Sequence, residues 1–174
     1  MTTWIVLLRG VNVGGRHKLP MAALRELLTE LGFENVRTYI QSGNIVLDSP
    51  GGDRDSVARS VRDAIEGRFG FAPHTFVLDI DAFDAAIAAN PFSGDEQDPK
   101  TIHFFFLAEP TINLDGLLEL ATQREEFVLT EGVFYLHTPD GFGGSKLVER
   151  LQRFIGTKTT ARNLRSVRAI RELV

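Results

Sequence analysis

A glycine-rich segment carries the strongest chemical signal in the sequence. It follows the apolar run 4–8 and consists of Arg9-Gly10-Val11-Asn12-Val13-Gly14-Gly15. Glycine lets backbone N–H groups approach an anion closely, and a loop that leads into a helix adds the positive end of the helix dipole. Basic side chains at Arg9, Arg16 and Lys18 add charge. We therefore predict that a phosphate or carboxylate binds here, through Arg9, Gly10, Asn12, Gly14, Gly15 and Lys18.

Better-known nucleotide and metal motifs do not fit this sequence. The spacing of Gly10 and Gly15 is similar to that of a P-loop, but Arg16-His17 stands where that motif requires Lys and then Ser or Thr. The chain has no cysteine, which excludes thiolate catalysis, disulfides and Cys-ligated metal centres. Its histidines lack metal-ligand spacing. We therefore predict neither a metal nor a cofactor, and whether the protein is an enzyme stays open.

Three further segments combine polar or basic residues with turn chemistry. They are Gln41-Ser42-Gly43-Asn44, Gly141-Phe142-Gly143-Gly144-Ser145-Lys146 and Thr159-Thr160-Ala161-Arg162-Asn163. Each has a structural interpretation, as a hairpin turn or a helix start. A basic residue early in a helix opposes the helix dipole, which indicates another use for Lys146 and Arg162. The ligand-binding candidates from these segments are Ser42, Gly43, Asn44, Ser145, Lys146, Arg162 and Asn163.

The elements that position these residues follow from apolar periodicity. Strand-like runs, and helix-like runs with apolar residues three and four apart, alternate in the order βαββαβ up to residue 78. After a connecting helix and a polar stretch the pattern restarts near residue 101 and closes with a helix from Arg162 to Leu173. We predict an α+β fold of duplicated ferredoxin-like units with antiparallel sheets. The predicted divisions are 1–78 for the first half, 79–100 for the connecting helix and linker, with the linker itself at 91–100, and 101–174 for the second half.

The second half resembles a copy of the first. Gly43 and Gly132, like Pro50 and Pro139, keep one common offset. The copy lacks the long glycine loop, so the fold itself does not demand that loop. We expect the turn 41–44 to lie at the end of the sheet opposite the glycine loop. The two motifs would then meet only if Arg9 and Asn44 faced a common groove.

The motifs together resemble the bacterial domain-of-unknown-function family 1697. The resemblance rests on Leu8-Arg9-Gly10-Val11-Asn12-Val13-Gly14-Gly15, Thr38-Tyr39-Ile40-Gln41-Ser42-Gly43-Asn44, Ser145-Lys146-Leu147 and Thr160-Ala161-Arg162-Asn163, which together span nearly the whole chain. It implies ferredoxin-like halves and no particular activity. One departure is Leu164, where family members often have Trp, so a ligand contact by that aromatic ring would be missing here.

Composition narrows the class of partner. The formal net charge is −4 and the isoelectric point is near 5.6, whereas general nucleic-acid binders are usually basic. The N-terminal apolar run is too short for a signal peptide or a membrane span. With the absence of cysteine, this predicts a soluble cytoplasmic protein with no membrane partner. The oligomeric state stays open.

Three functions remain in competition. The first is capture of a small anionic ligand, with Asn12, Asn44 and Asn163 orienting it by amide hydrogen bonds. The second is specific nucleic-acid binding through a local basic strip of Arg9, Arg16, Lys18, Lys146 and Arg162. The third is a protein-interaction module without a ligand. Fold alone does not choose among them.

Overall fold

The structure, a computed structural model, describes residues 1–92 and 98–174. The centre of the predicted linker, residues 93–97, lies outside the described residues. The chain divides into two compact units, Met1–Ala85 with Arg168–Val174, and Ala86–Val167. The domain boundaries predicted from the sequence stay a prediction. The elements up to residue 88 are β1 (Thr2–Leu8), α1 (Met21–Glu30), β2 (Glu34–Tyr39), β3 (Asn44–Ser49), α2 (Arg54–Phe69), β4 (Thr75–Asp79) and α3 (Ile80–Ala88).

The first sheet has the strand order β2-β3-β1-β4 with antiparallel pairing throughout. Its central strand β1 is apolar on both faces, and Ile5, Val6 and Leu7 are fully buried. The face that carries Val6 and Leu8 packs with α1 and α2 in one apolar cluster. Burial of side chains such as these contributes about 1.5–3 kcal/mol each. The ends of β1 are therefore held on a rigid scaffold.

Turn and cap chemistry set most element boundaries in this unit. Asp53 caps α2 by accepting the Ser56 N–H at 2.8 Å, a role for which Asp is strongly preferred. Asp79 accepts the Ala82 N–H at 2.7 Å at the start of α3. The strand β4 begins only at Thr75, because Pro73 has no N–H to donate to a sheet.

The second half repeats this arrangement with shorter helices. Its elements are β5 (Ile102–Leu107), α4 (Leu114–Leu118), β6 (Glu126–Leu129), β7 (Val133–His137), α5 (Lys146–Arg150), a 3-10 turn (Leu151–Arg153), β8 (Thr159–Asn163) and α6 (Leu164–Glu172). Its sheet has the order β6-β7-β5-β8, again antiparallel. The predicted fold of duplicated ferredoxin-like units is confirmed.

One boundary in the second half differs from the sequence prediction. Arg162 was expected to begin the last helix, but it lies within β8, opposite Phe104 of β5. The helix begins at Leu164, because the Asn163 side chain accepts the Ser166 N–H at 2.9 Å and so caps it. An argument from the helix dipole therefore does not apply to Arg162. Leu164 is buried.

Candidate functional site

The glycine loop (residues 9–18) and the hairpin turn (residues 41–44) lie together at one end of the first sheet. The Leu8 N–H donates to the Gly43 carbonyl at 2.9 Å. The expectation that they lie at opposite ends was wrong. Both β1 and β2 run antiparallel to β3, so β1 and β2 run parallel to each other. They therefore end at the same edge, and the turn leaves beside the loop.

Asn12 joins the two motifs. Its side-chain Oδ1 accepts the Leu19 N–H at 2.7 Å, and its Nδ2 donates to the Leu19 carbonyl at 2.9 Å and to the Gln41 carbonyl at 2.7 Å. Its backbone has φ +54°, a left-handed value that Asn tolerates better than most residues. A single amide thus fixes the exit of the loop and links it to the turn.

The tip of the glycine loop is a tight hairpin. The Arg16 N–H donates to the Val13 carbonyl at 3.0 Å, and Gly14 and Gly15 between them have φ +58° and +72°. Two successive left-handed residues define a type I′ turn, which strongly favours glycine at both positions. The Asn12 N–H continues the hairpin by donating to the His17 carbonyl at 3.0 Å. The glycines therefore give the loop a defined conformation.

The base of the loop is held by the segment that precedes β4. The Arg9 N–H donates to the His74 carbonyl at 3.0 Å. The His17 ring stacks on Phe71 with centroids 4.6 Å apart, and its Nδ1 lies 3.2 Å from the Gly10 carbonyl oxygen. The loop is solvent-exposed along most of its length, yet it is fixed at both ends.

The hairpin turn explains the types of two predicted site residues. Gly43 has φ +78°, and a Cβ there would lie 2.7 Å from the Leu8 Cβ and 2.9 Å from the Val11 Cγ2. Only glycine fits this close approach. Asn44 is fully buried, and its Nδ2 donates to the Tyr39 carbonyl at 3.1 Å and to the Ser42 Oγ at 2.9 Å. Contact of these residues with a ligand stays a prediction.

The surface of the loop is cationic. Arg16 and Lys18 are exposed and Arg9 is partly buried. Among residues 1–92 and 98–174, none of the three has a carboxylate within ion-pair distance. The first 25 residues contain no Asp or Glu, although the whole chain has a net charge of −4. Positive charge is therefore concentrated here without internal neutralisation.

Strained backbone also gathers at this edge of the sheet. Ile40, the residue before the turn, has φ +46° although its side chain is β-branched. Such a conformation costs on the order of 1–3 kcal/mol and is common at functional sites. Ile40 and Val13 are 51% and 64% exposed. Sequence reasoning missed Val13, His17 and Ile40; the signal that marks this region is the absence of acidic residues from the first 25 positions.

The predicted site residues of the second unit have internal partners. Ser145 caps α5 by accepting the Val148 N–H at 3.2 Å, and its Oγ donates to the Glu125 Oε1 at 3.0 Å. Lys146 is exposed at the first position of that helix. Gly43, Asn44 and the glycine loop belong to the other unit. A ligand role for Ser145 and Lys146 stays a prediction.

Arg162 is buried, with 7% of its surface exposed. Its Nη1 donates to the Thr160 Oγ1 at 2.7 Å and to the Ala161 carbonyl at 2.8 Å. Burial lowers the pKa of its guanidinium to about 10, so it stays charged at neutral pH. Asn163 is engaged as the helix cap described above. Contact of either residue with a ligand stays a prediction.

The described residues contain no group of three acidic or histidine side chains that could hold a metal ion. His103 lies on β5 and stacks on Phe142 with centroids 3.9 Å apart. Burial lowers the pKa of its imidazole to about 4, so the ring is neutral at physiological pH. Within the same described part of the chain, none of the helices combines the length and the apolar composition that crossing a bilayer requires.

The fold and the site define a class of duplicated ferredoxin-like proteins with a glycine loop on the first repeat. The chain belongs to the family described as "Protein of unknown function (DUF1697)", whose model matches residues 1–135. A solved structure, "conserved bacterial protein SP0830 from Streptococcus pneumoniae", is similar, with a TM-score of 0.75 and 25% identity over 99% of this chain and 98% of that one. No curated protein matches the sequence. The matched family residues include the glycine loop and the hairpin turn but not residues 145–163.

Proposed function

We propose that the protein binds a phosphate- or carboxylate-bearing ligand on the surface formed by the glycine loop and the hairpin turn. The observation that carries this proposal is an ordered, exposed loop whose cations Arg9, Arg16 and Lys18 have no carboxylate partner among the described residues. The proposal assigns no catalytic step. The cytoplasmic location predicted from composition stays a prediction.

The preorganisation of the loop supports a binding role. Ordering an exposed loop at the moment of binding reduces affinity, because each fixed residue loses conformational entropy. Here the Asn12 amide and the stacked His17 hold the loop in place beforehand. The exposed residues Gly14 and Gly15 and the guanidinium of Arg16 lie on the same tight hairpin. Charge-assisted hydrogen bonds from such donors are stronger than neutral ones.

A nucleic acid is the second candidate, and the projecting shape of the loop favours it. A cationic hairpin tip that is open to solvent suits the backbone of an extended polymer as well as a free phosphate group. Arg162 is buried and bonded internally, so the basic strip predicted from the sequence loses one exposed member. The three cations of the loop would give a salt slope of about −2 to −3 for binding to single or double strands.

The test is a titration of the isotope-labelled full chain, followed by NMR chemical shifts. The probes are inorganic phosphate, a nucleoside monophosphate and a short single-stranded oligonucleotide. We expect shifts in residues 9–18 with at least one probe, and Arg16→Gln weakens that binding by about tenfold. Tighter binding of the oligonucleotide with the stated salt slope favours the polymer over the small ligand.

Matched control variants are available on the second unit. Arg153 and Lys158 are exposed cations that form no ion pair with any described residue. Arg153→Gln and Lys158→Gln remove the same charge as Arg16→Gln and Lys18→Gln but lie outside the proposed surface. Equal weakening by the two sets, or no shift in residues 9–18 with any probe, would refute the proposal.

A further inference from the structure

An open groove lies on the second unit. It has a volume of about 470 Å³ and is lined by residues of the end of α4, of the loop that follows it and of β6, among them Leu118, Ala121, Glu125, Glu126, Phe127 and Val128. This volume is in the range of specific binding sites. The sequence motifs did not indicate it, because none of its residues belongs to a recognised pattern.

The groove exposes apolar side chains beside an open sheet edge. Leu118 and Val128 are 63% and 40% exposed. The strand β6 pairs with β7 on one side, and no other described strand pairs with it. Unpaired backbone groups on an edge strand can hydrogen-bond to a further strand. The groove therefore combines an apolar surface with a row of backbone donors and acceptors.

The carboxylate of Glu125, which lines the groove, is only partly hydrogen-bonded to the described residues. The Glu125 Oε1 accepts from the Ser145 Oγ, whereas its Oε2 is buried and accepts no hydrogen bond from the described residues. A buried acceptor without a partner costs about 1–3 kcal/mol, and more when it is charged. The charge of Glu125 is thus incompletely compensated by the described residues, and a positive charge beside this carboxylate would stabilise it.

The surroundings add negative charge. Residues 109–131 contain six carboxylates and one basic side chain, Arg124, and Arg124 pairs with Asp140. Glu126 is largely exposed, and its Oε2 lies 4.0 Å from the His137 Nδ1. The groove therefore offers the carboxylates of Glu125 and Glu126 to a positive group and the exposed side chains of Leu118 and Val128 to an apolar one.

We propose that this groove binds an extended segment of a partner protein that carries Lys or Arg beside apolar residues and adds as a strand to β6. In such a segment alternate side chains face the groove, so apolar residues cover Leu118 and Val128. A Lys or Arg places its positive charge beside the carboxylates of Glu125 and the exposed Glu126. A small free cation would balance that charge but leave the strand edge and the apolar surface open. This inference is independent of the function proposed for the glycine loop.

The test uses two synthetic peptides with the full chain, one alternating valine with lysine and the other alternating valine with glutamate. Binding is followed by NMR chemical shifts and by fluorescence anisotropy. We expect the lysine peptide to shift the resonances of Leu118 and of residues 125–129, and Glu125→Gln to weaken its binding about tenfold. Glu109→Gln removes an exposed carboxylate outside the groove and leaves the affinity unchanged.

Each alternative occupant gives a distinct result that overturns the proposal. If lysine amide alone binds as tightly as the peptide, the groove is a small-cation site. If the chain self-associates and Val128→Lys abolishes that association, a second copy covers the groove. Equal binding of the glutamate peptide, or shifts confined to other residues, removes the predicted selectivity. The Glu125→Gln variant keeps an oxygen that can accept from the Ser145 hydroxyl. Its NMR spectrum, compared with that of the wild type, shows whether the fold is intact.

Discussion

The two halves share one pattern of connections at the end of their first strands. In the first half, the Leu8 N–H donates to the Gly43 carbonyl at 2.9 Å; in the second, the Leu107 N–H donates to the Gly132 carbonyl at 3.0 Å. Both sheets have the same strand order. Duplication has therefore preserved not only the topology but individual backbone hydrogen bonds at this edge.

The segments that leave this edge differ. Residues 9–18 form a cationic hairpin, whereas the connection 108–113 in the second half is short and leads directly to the helix cap Asn113. The first half concentrates positive charge near its loop, with no carboxylate partner among the described residues, and residues 109–131 of the second half concentrate negative charge. The fold therefore tolerates either connection, and the topology alone does not account for the hairpin of the first half.

The largest expected difference between the halves concerns their equivalent glycines. A methyl group at Gly43 would meet Leu8 and Val11 at less than 3 Å and would place alanine at φ +78°. Overpacking costs about 1–3 kcal/mol and left-handed alanine about 1–2 kcal/mol. We expect Gly43→Ala to lower the free energy of unfolding by roughly 2–5 kcal/mol, measured by urea denaturation.

The matched variant is Gly132→Ala. A Cβ there meets nothing within 4 Å, so we expect a change within about 0.5 kcal/mol. Similar destabilisation by both variants would show that the close contact between loop and turn is not specific to the first half. A small effect of Gly43→Ala would show that Leu8 and Val11 can shift to make room for the added methyl group.

A second difference concerns pH. The position on β5 held by His103 corresponds to Trp4 on β1. Burial lowers the pKa of His103 from 6.5 to about 4. Above pH 6.5 the imidazole is neutral in both the folded and unfolded states, and its contribution to the free energy of unfolding is fully present. As pH falls from 6.5 towards 4, the unfolded state takes up a proton that the folded state refuses, so stability falls, by about 3 kcal/mol at most.

The variant His103→Phe tests this assignment, because it removes the titrating group and keeps an aromatic ring against Phe142. We expect its free energy of unfolding to vary less between pH 6.5 and pH 4 than that of the wild type. The Thr3 hydroxyl lowers the pKa of Asp48 below its ordinary value of 3.8, so protonation of Asp48 reduces the stability only at still lower pH. An unchanged pH dependence in His103→Phe would place the acid sensitivity elsewhere.

Sequence reasoning reached the fold because its signals are local. Apolar periodicity and the caps Asp53 and Ser145 each depend on a few neighbouring residues. It misplaced the hairpin turn because that position depends on which strands run parallel. It also missed the groove at Glu125, because an unpaired buried oxygen is a product of packing that no spacing of residue types reveals.

The last comparison is between two asparagines that follow the first strand of each half. Asn12→Asp removes both Nδ2 donors and sets a carboxylate against the Leu19 and Gln41 carbonyls, so we expect about 2 kcal/mol of destabilisation in urea denaturation. Asn113 only caps α4 through its Oδ1, a role that Asp fills equally well, so Asn113→Asp is expected to be neutral. If the two substitutions had equal effects, the glycine loop would be an ordinary connection rather than a preorganised one. The preorganisation that supports ligand binding by this loop would then be absent.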